Sequence, residues 1–552
     1  MAAADSIQGG MALKQGAEKI YINGNVITMD EKCPRADYII VKDGVIQETG
    51  KGEIPGRFKA AGEVADLGGR TVVPGFADCH MHLLNYSLRK EREVDLSGTA
   101  SVEELVQRVK SFTFKNNIKP GEWVVGAGWN NEDFPDKKLP DKTVLDSISA
   151  MHPIKLTRAC CHLHSVNSLA LDIAGIDRDT PDTGGGEIDR DAYGYPTGIL
   201  RENAINRVNK HIPVPGDKRL LKDLILKGCT KLAAAGITTV HTDDFPYSRD
   251  KKSLLEAYKE LEREGRLPIR VVLQLRAAGP EDIDDYAGLG IRPGKTSGKL
   301  VFGPVKIIAD GSLGARTAAL TEPYCDQPEN RGIMVHEKEP LEKIIAKAFD
   351  LGFDVAVHAI GDRAYETVLN LFGRYRDTIK NKGLRPSVIH CQIGSERVLG
   401  LMKDLNVTAN IQPVFLNSDW KMAESRVGRE RLEYSYCWRT YMDMGIRCVG
   451  SSDAPVEPFD PLCGIYSAVT RKDLDGKPEE GWLIKEGLTP QQALRLFTVN
   501  PAYLIHREDR LGSLAEGFAA DMVVLSEDIF KVPHERIRDI KVLGTIAGGQ
   551  EL

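Results

Sequence analysis

The chain has 552 residues, 42% of them hydrophobic and 28% charged, with a formal net charge of −6. That is ordinary globular usage, too long for one ordinary domain and large enough for a barrel with additions. The small charge and the lack of a long basic run argue against nucleic acid or an anionic membrane as partner, and no apolar run approaches the ~18 residues of a transmembrane helix. Residues 1–19 show no basic segment followed by an apolar core, so no secretory signal is expected, and Met11 is a candidate start behind a leader. The ten cysteines form no Cys-x-x-Cys pair. Cys79, Cys391 and Cys448 sit in apolar or motif stretches, as small buried thiols do, and a reducing cytoplasm is the expected location.

Residues 18–50 read as short strands. Lys19–Ile22 and Val26–Met29 flank Asn23-Gly24-Asn25, and Tyr38–Val41 turns through Lys42-Asp43-Gly44 into Val45-Ile46. Asn-Gly and Asp-Gly between β-rich runs are hairpin signals. Strand-like runs return at Ala520–Leu525 and Ile540–Ile546, so the two ends are expected to pair into one composite β-sandwich. Thr71–Asp78 reads as a strand leading into His80-Met81-His82. Side chains alternate along an extended strand, so the two histidines face one way and can share a divalent ion. Val102–Phe112 is amphipathic and helical. From there to about residue 215 the βα alternation is lost, which reads as an inserted subdomain. It carries a second His-x-His, His162 and His164, that competes with the first as a metal site. No strand-end series follows it in register, so substrate lining or a structural role is the better reading.

From Lys218 the alternation is regular. Helices over 218–235, 251–264, 340–351 and 363–375 are interleaved among strands Ile237–His241, Ile269–Leu275, Leu300–Ile308, Val355–His358, Ser387–His390, Val407–Ile411 and Ile446–Gly450. With Thr71–Asp78 these make eight short buried strands, which predicts an α/β fold of the (β/α)8 TIM-barrel type. Active sites of such barrels lie at the C-terminal ends of the strands. At those ends stand His80 and His82 after the first strand, His358 on the fifth, His390 on the sixth and Asp453 after the eighth. Lys306 lies inside the fourth, where an unpaired charge is costly. Each has a plain structural alternative, such as a salt-bridged Lys306 or a hydrogen-bonded His358. Six of them converging on one mouth favours a metal-dependent active site.

This set resembles the amidohydrolase superfamily in its two-metal subtype, and within it amidohydrolase family 3, the branch of YtcJ-like proteins and N-substituted formamide deformylases. The phrases that carry the likeness are PGFADCHMHL, GGGEIDRDAYGYPTGILRENA, VKIIADGSLGARTAAL, AVHAIGDRA, GSSDAPVEP and LGSLAEGFAADMVVL, spread from residue 74 to 525. The resemblance implies a barrel over 71–508 with a large insertion at about 96–215 after barrel strand one, and a sandwich made of 18–70 and 509–552. It implies two divalent ions per chain, zinc first, with manganese, cobalt or iron as alternatives. Their ligands would be His80, His82, Lys306, His358, His390 and Asp453, with Lys306 carboxylated at N6, since an ammonium cannot ligate a cation. Asp453 would be catalytic, taking the proton of a water that becomes a metal-activated hydroxide and passing it to the departing amine. The implied reaction is hydrolysis of a non-peptide C–N bond, amide, N-acyl or N-formyl, in a small molecule.

Trp129, His164, Asn167, His241 and Arg316 are the candidate substrate contacts, the first three from the insertion. Trp129 also suits the subdomain core, and Arg316 suits pairing with an acid such as Asp310. A homodimer is expected by analogy alone. Two other functions stay open: a mononuclear deaminase of a cyclic amidine, which would not need Lys306, and a non-catalytic binding module, whose usual loss of ligands this chain does not show.

Overall fold

The computed structural model describes residues 19–55, 58, 62–294 and 296–552. Its centre is a ring of eight parallel strands: β1 (Phe76–Met81), β2 (Ile237–Thr242), β3 (Arg270–Arg276), β4 (Leu300–Ile308), β5 (Val355–Ala359), β6 (Ser387–His390), β7 (Thr408–Ile411) and β8 (Cys448–Gly450). Neighbours in chain order are hydrogen-bonded from β1 through β8. The ring closes just beyond the last strand, where Asp453 N–H donates to His80 O at 2.8 Å and His82 N–H to Ala454 O at 2.8 Å. Strands covered on both faces need no polar side, which is why these runs read as continuously apolar. The outer helices add Leu224, Leu261, Ile345 and Phe372 to the same core. Their starts are fixed by side-chain caps: Asp217 accepts from Leu220 N–H, Asp250 from Ser253 N–H and Ser395 from Val398 N–H.

The single strand expected over Thr71–Asp78 is in fact two. Thr71–Pro74 pairs antiparallel with Met522–Leu525 and parallel with Asn25–Ile27, whereas Phe76–Met81 is β1. Pro74 and Gly75 make the break. A Cβ at Gly75 would collide with Thr238 of β2, so only glycine allows this close approach. The correction moves His80 inside β1 and makes His82 the residue that begins helix Leu83–Arg92.

Three further sheets surround the barrel. One has the order Val45–Gly50, Tyr38–Lys42, Lys19–Ile22, Glu63–Asp66, and another joins Val542–Ala547 and Met522–Leu525 to Thr71–Pro74 and Asn25–Ile27. Tyr21, Val41, Val72, Leu514, Met522 and Ile546, drawn from both ends of the chain, form one apolar cluster between these two. The leader suggested before Met11 lies outside the described residues.

The third sheet comes from residues 94–202, in the order Gly186–Arg190, Pro196–Glu202, Leu163–Val166, Ile154–Arg158, Val124–Trp129, Val94–Asp95. Strand alternation gives it two unlike faces. Val124, Ile154, Leu156 and Leu163 pack on Leu105 and Val109 of helix Val102–Lys115. Val125, Lys155, Thr157 and His164, on the opposite face, line a cavity above the barrel mouth.

Candidate metal centre

That cavity measures about 1010 Å³, and His80, His82, Lys306, His358, His390 and Asp453 all border it. The barrel register explains the convergence. Lys306 is level with Arg276 on β3 and Ala356 on β5, His358 lies two residues beyond that level and His390 one further, so the three climb stepwise toward the C-terminal ends of β4, β5 and β6. Asp453 (φ 57°), His390 (φ 84°) and Cys391 (φ 53°) sit in the left-handed region. Non-glycine residues held there cost energy, and such strain gathers at functional sites.

Each histidine has one nitrogen committed to the scaffold. His80 Nδ1 donates to Gln274 Oε1 at 2.7 Å, and Gln274 is itself oriented by its Nε2 donating to Cys79 O at 3.3 Å. His82 Nδ1 donates to the carbonyl of Asp243 at 3.0 Å. His390 Nδ1 donates to Gln412 Oε1 at 2.9 Å, with Gln412 Nε2 bonded to Ser451 Oγ at 2.7 Å. In these three the Nε2 carries a lone pair, and that of His80 accepts from Lys306 Nζ at 3.2 Å. His358 is turned over: its Nε2 donates to Gly311 O at 3.0 Å, which leaves Nδ1 as the free nitrogen. A partner that fixes one ring nitrogen fixes the tautomer and makes the other a ligand. Burial pushes all three of His80, His358 and His390 down, His80 to about 4, with Lys306 as a further cause in each, so these imidazoles are neutral at pH 7.

The Nε2 atoms of His80 and His82 meet one oxygen. His80 Nε2 lies 3.3 Å and His82 Nε2 3.2 Å from Asp453 Oδ1, and the donor atoms of the three residues all fall within 4.8 Å of one another. Asp453 Oδ1 is buried and has no hydrogen-bond partner. Three lone-pair atoms facing each other without a proton between them are a donor set for a cation, and the residues fit a divalent metal. Lys306 Nζ lies 3.2 Å from His80 Nε2 and is buried, which lowers it to about 7. The rings of His358 and His390 are 4.4 Å apart at 75°, and His390 is 6.1 Å from His80.

Of the five residues expected to contact substrate, His164 lines the cavity and the other four do not. Trp129 is fully buried in the apolar cluster of the insertion. Asn167 caps helix Ser168–Ala174 and binds Ile154 N–H, Ser149 O and His152 O. His241 is enclosed in the barrel wall with Nε2 unpartnered, and Arg316 pairs with Asp326 at 2.9 Å rather than with Asp310. Asp310 instead accepts from Ile360, Gly361 and Ala319 N–H, and lies 3.5 Å from His358 Nε2. The two histidines of the second His-x-His part company. His164 Nδ1 is 3.2 Å from Thr157 Oγ1, while His162 Nδ1 is 2.7 Å from Glu202 Oε2 and its ring 5.1 Å from His358. Burial alone would lower His162, but Glu202 draws it up to about 9. Sequence reasoning missed Gln274, Gln412, Asp243 and Glu202. The one available signal was the polar Gln274 and Gln412 within apolar strand runs.

The chain was compared with known proteins. The profile of the amidohydrolase family matches residues 63–552. YtcJ of Bacillus subtilis (strain 168) is 35% identical over 534 residues, 96% of this chain and 98% of YtcJ. The N-substituted formamide deformylase of Arthrobacter pascens is 27% identical over 564 residues, 97% of this chain and 98% of the deformylase. The crystal structure of an uncharacterized metal-dependent hydrolase from Pyrococcus horikoshii OT3 superposes with a TM-score of 0.73 at 29% identity, covering 94% of this chain and 99% of that one. The profile match over most of the chain, the relatives aligned nearly end to end and the strand-end donor set agree: this chain belongs to the amidohydrolase family, in amidohydrolase family 3.

Proposed function

We propose that the chain is a metal-dependent hydrolase of a non-peptide C–N bond, an amide, N-acyl or N-formyl bond of a small molecule. One observation carries the reading: six side chains from five strand ends meet beneath a single cavity, with Asp453 Oδ1 left unpartnered between two imidazole nitrogens. His80, His82 and Asp453 would hold one ion and His358 and His390 a second, with Lys306 between; zinc suits the donor set best, and manganese, cobalt or iron are accommodated. A divalent metal bound here supplies Lewis acidity, polarising a carbonyl oxygen and bringing a water's pKa near neutrality.

The remaining tasks belong to this chain's side chains. Asp453, ionised at neutral pH, accepts the proton of the attacking water and returns it to the departing amine nitrogen. Gln274, Gln412 and the Asp243 carbonyl keep Nδ1–H occupied and so keep Nε2 available. Lys306, lowered to about 7, has a neutral amine fraction at physiological pH that can add carbon dioxide, losing a proton, to give a carbamate with two ligating oxygens. The insertion sheet above the mouth excludes water and limits substrate size. The same reading divides the chain into a barrel up to about residue 508, an insertion at about 96–215, and a sandwich of the two ends, its N-terminal part running through Pro74. All ten cysteines are unpaired and no helix among the described residues is long and apolar enough to cross a membrane, which supports a cytoplasmic site of action. The test is a panel of N-formyl and N-acyl amides offered to chelated protein before and after reloading with Zn²⁺, Mn²⁺ or Co²⁺. Hydrolysis restored by metal supports the proposal. A metal-loaded protein with intact Lys306 that hydrolyses no amide overturns it.

One observation favours a second reading, a mononuclear deaminase of a cyclic amidine. Only His80, His82 and Asp453 form a tight donor cluster among the described residues. A single ion per chain with ammonia released from an amino-heterocycle would select that reading.

A further inference from the structure

The cavity extends well beyond the metal centre, and its far wall carries cations that the reaction just proposed does not use. Lys155 projects from strand Ile154–Arg158 on the face of the insertion sheet that meets the cavity, level with Val125 and Val166. Its Nζ donates to Asn209 Oδ1 at 2.8 Å, a neutral acceptor, and it has no ion-paired carboxylate among the described residues. Arg89 lies on helix Leu83–Arg92, seven residues past His82, about 10 Å along a helix axis. Its guanidinium donates to a thiol and a carbonyl, Cys161 Sγ at 3.1 Å and Pro455 O at 3.3 Å, and the Glu93 carboxylate stands off at 3.9 Å. Thr157 and His164, on the same sheet face, bond each other and supply no negative charge. Lys155, Arg89, Arg92 and Lys210 border this part of the cavity against Glu93 and Glu122, which leaves the wall with a net positive charge.

A cation held out of water without a counter-ion is costly, and proteins rarely keep one unless something compensates it. Burial lowers Lys155 to about 8, the expected cost of that environment. An anion placed here would relieve it. We propose that Lys155 and Arg89 form an anion subsite that selects amides carrying a carboxylate at the end remote from the scissile bond. The inference rests on the hydrolase reading for the word amide, but the subsite itself is read from this wall alone.

The experiment compares N-acetyl-6-aminohexanoate with its uncharged counterpart N-hexylacetamide and its phosphonate counterpart N-acetyl-5-aminopentylphosphonate, on the metal-loaded full chain. Turnover is read as kcat/KM; if none of the three is hydrolysed, affinity is read by calorimetry. The expected result is a preference for the carboxylate over the uncharged amide of about tenfold or more, the worth of one charge-assisted hydrogen bond. In Lys155→Met that ratio falls to about one, and Lys155→Arg, which keeps the charge, restores most of it. Circular dichroism of both variants separates loss of fold from loss of selectivity. A ratio near one in the native chain, or a ratio unchanged in Lys155→Met, overturns the proposal, and so does a preference for the phosphonate over the carboxylate. Binding of the carboxylate that depends on Lys155, with no amide turned over, would leave the subsite standing and bring down the hydrolase reading instead.

Discussion

The barrel mouth and the insertion above it share one cavity, yet they are built on opposite terms. At the mouth, each of the four histidines is held by a partner that orients it: Gln274 for His80, Gln412 for His390, the Asp243 carbonyl for His82 and Gly311 O for His358. On the insertion sheet the cavity-facing residues are sparsely held, Lys155 by a single amide and His164 by a single hydroxyl. The difference teaches where precision is needed. Chemistry at the mouth requires lone pairs fixed in direction, whereas a wall that receives a substrate needs charge and shape but tolerates movement.

That contrast can be broken first at its strongest point. Asp453→Ala should cost roughly 10²–10⁴-fold in kcat for any amide the native chain turns over, with reduced metal retention, while Lys155 variants change selectivity far more than they change kcat. Steady-state kinetics with metal analysis checks both, and an Asp453→Ala protein with native kcat would end the account. One step smaller, Gln412→Ala or Gln274→Ala frees the ring of His390 or His80 and should weaken metal affinity or activity by roughly 10–100-fold. Competition with a chelator measures it, and an unchanged affinity would mean that the carboxamides do not orient the ligands.

How much of this was legible follows from the same contrast. The six residues singled out at or within the strand ends all border the cavity, because a barrel strand gives each position a fixed level and a fixed face. Leu300–Ile308 and Ser387–His390 read straight from their apolar runs for the same reason. The insertion offered no such rule. Its six-stranded sheet follows chain order except at one end, where Pro196–Glu202 comes before Gly186–Arg190, and it mixes parallel with antiparallel neighbours, so no one rule gives each position its face. Nothing in the sequence therefore says that Lys155 faces the cavity while Trp129 and Asn167 face the subdomain interior. Pro74-Gly75 reads as a turn in the sequence, but its role in dividing two strands of different sheets does not. It depends on Thr238 lying against Gly75, a contact that exists only after folding.

Two smaller effects sharpen the contrast through stability. Asp419 is buried and accepts from Gln392 Nε2 at 2.8 Å and Tyr436 OH at 2.9 Å; burial raises its carboxyl to about 7. A folded-state pKa above the unfolded one means stability that is present below about pH 4 and is lost as pH rises toward 7. Asp419→Asn, neutral throughout, should therefore gain on the native chain across that window, with a ceiling of roughly 4 kcal/mol. Denaturation midpoints at several pH values test this, and parallel profiles would contradict it. In the insertion, Asn167→Ala removes a helix cap and three further hydrogen bonds and should cost about 1–3 kcal/mol with little change in kcat. A large fall in kcat with unchanged stability would instead return Asn167 to the substrate contacts.

The most direct test of the central claim is metal content per chain measured together with the state of Lys306, by elemental analysis and ¹³C-bicarbonate labelling. The account predicts two ions per chain and a carbamate signal that disappears in Lys306→Met. A chain that retains no ion, with His80, His82 and Asp453 intact, would contradict it.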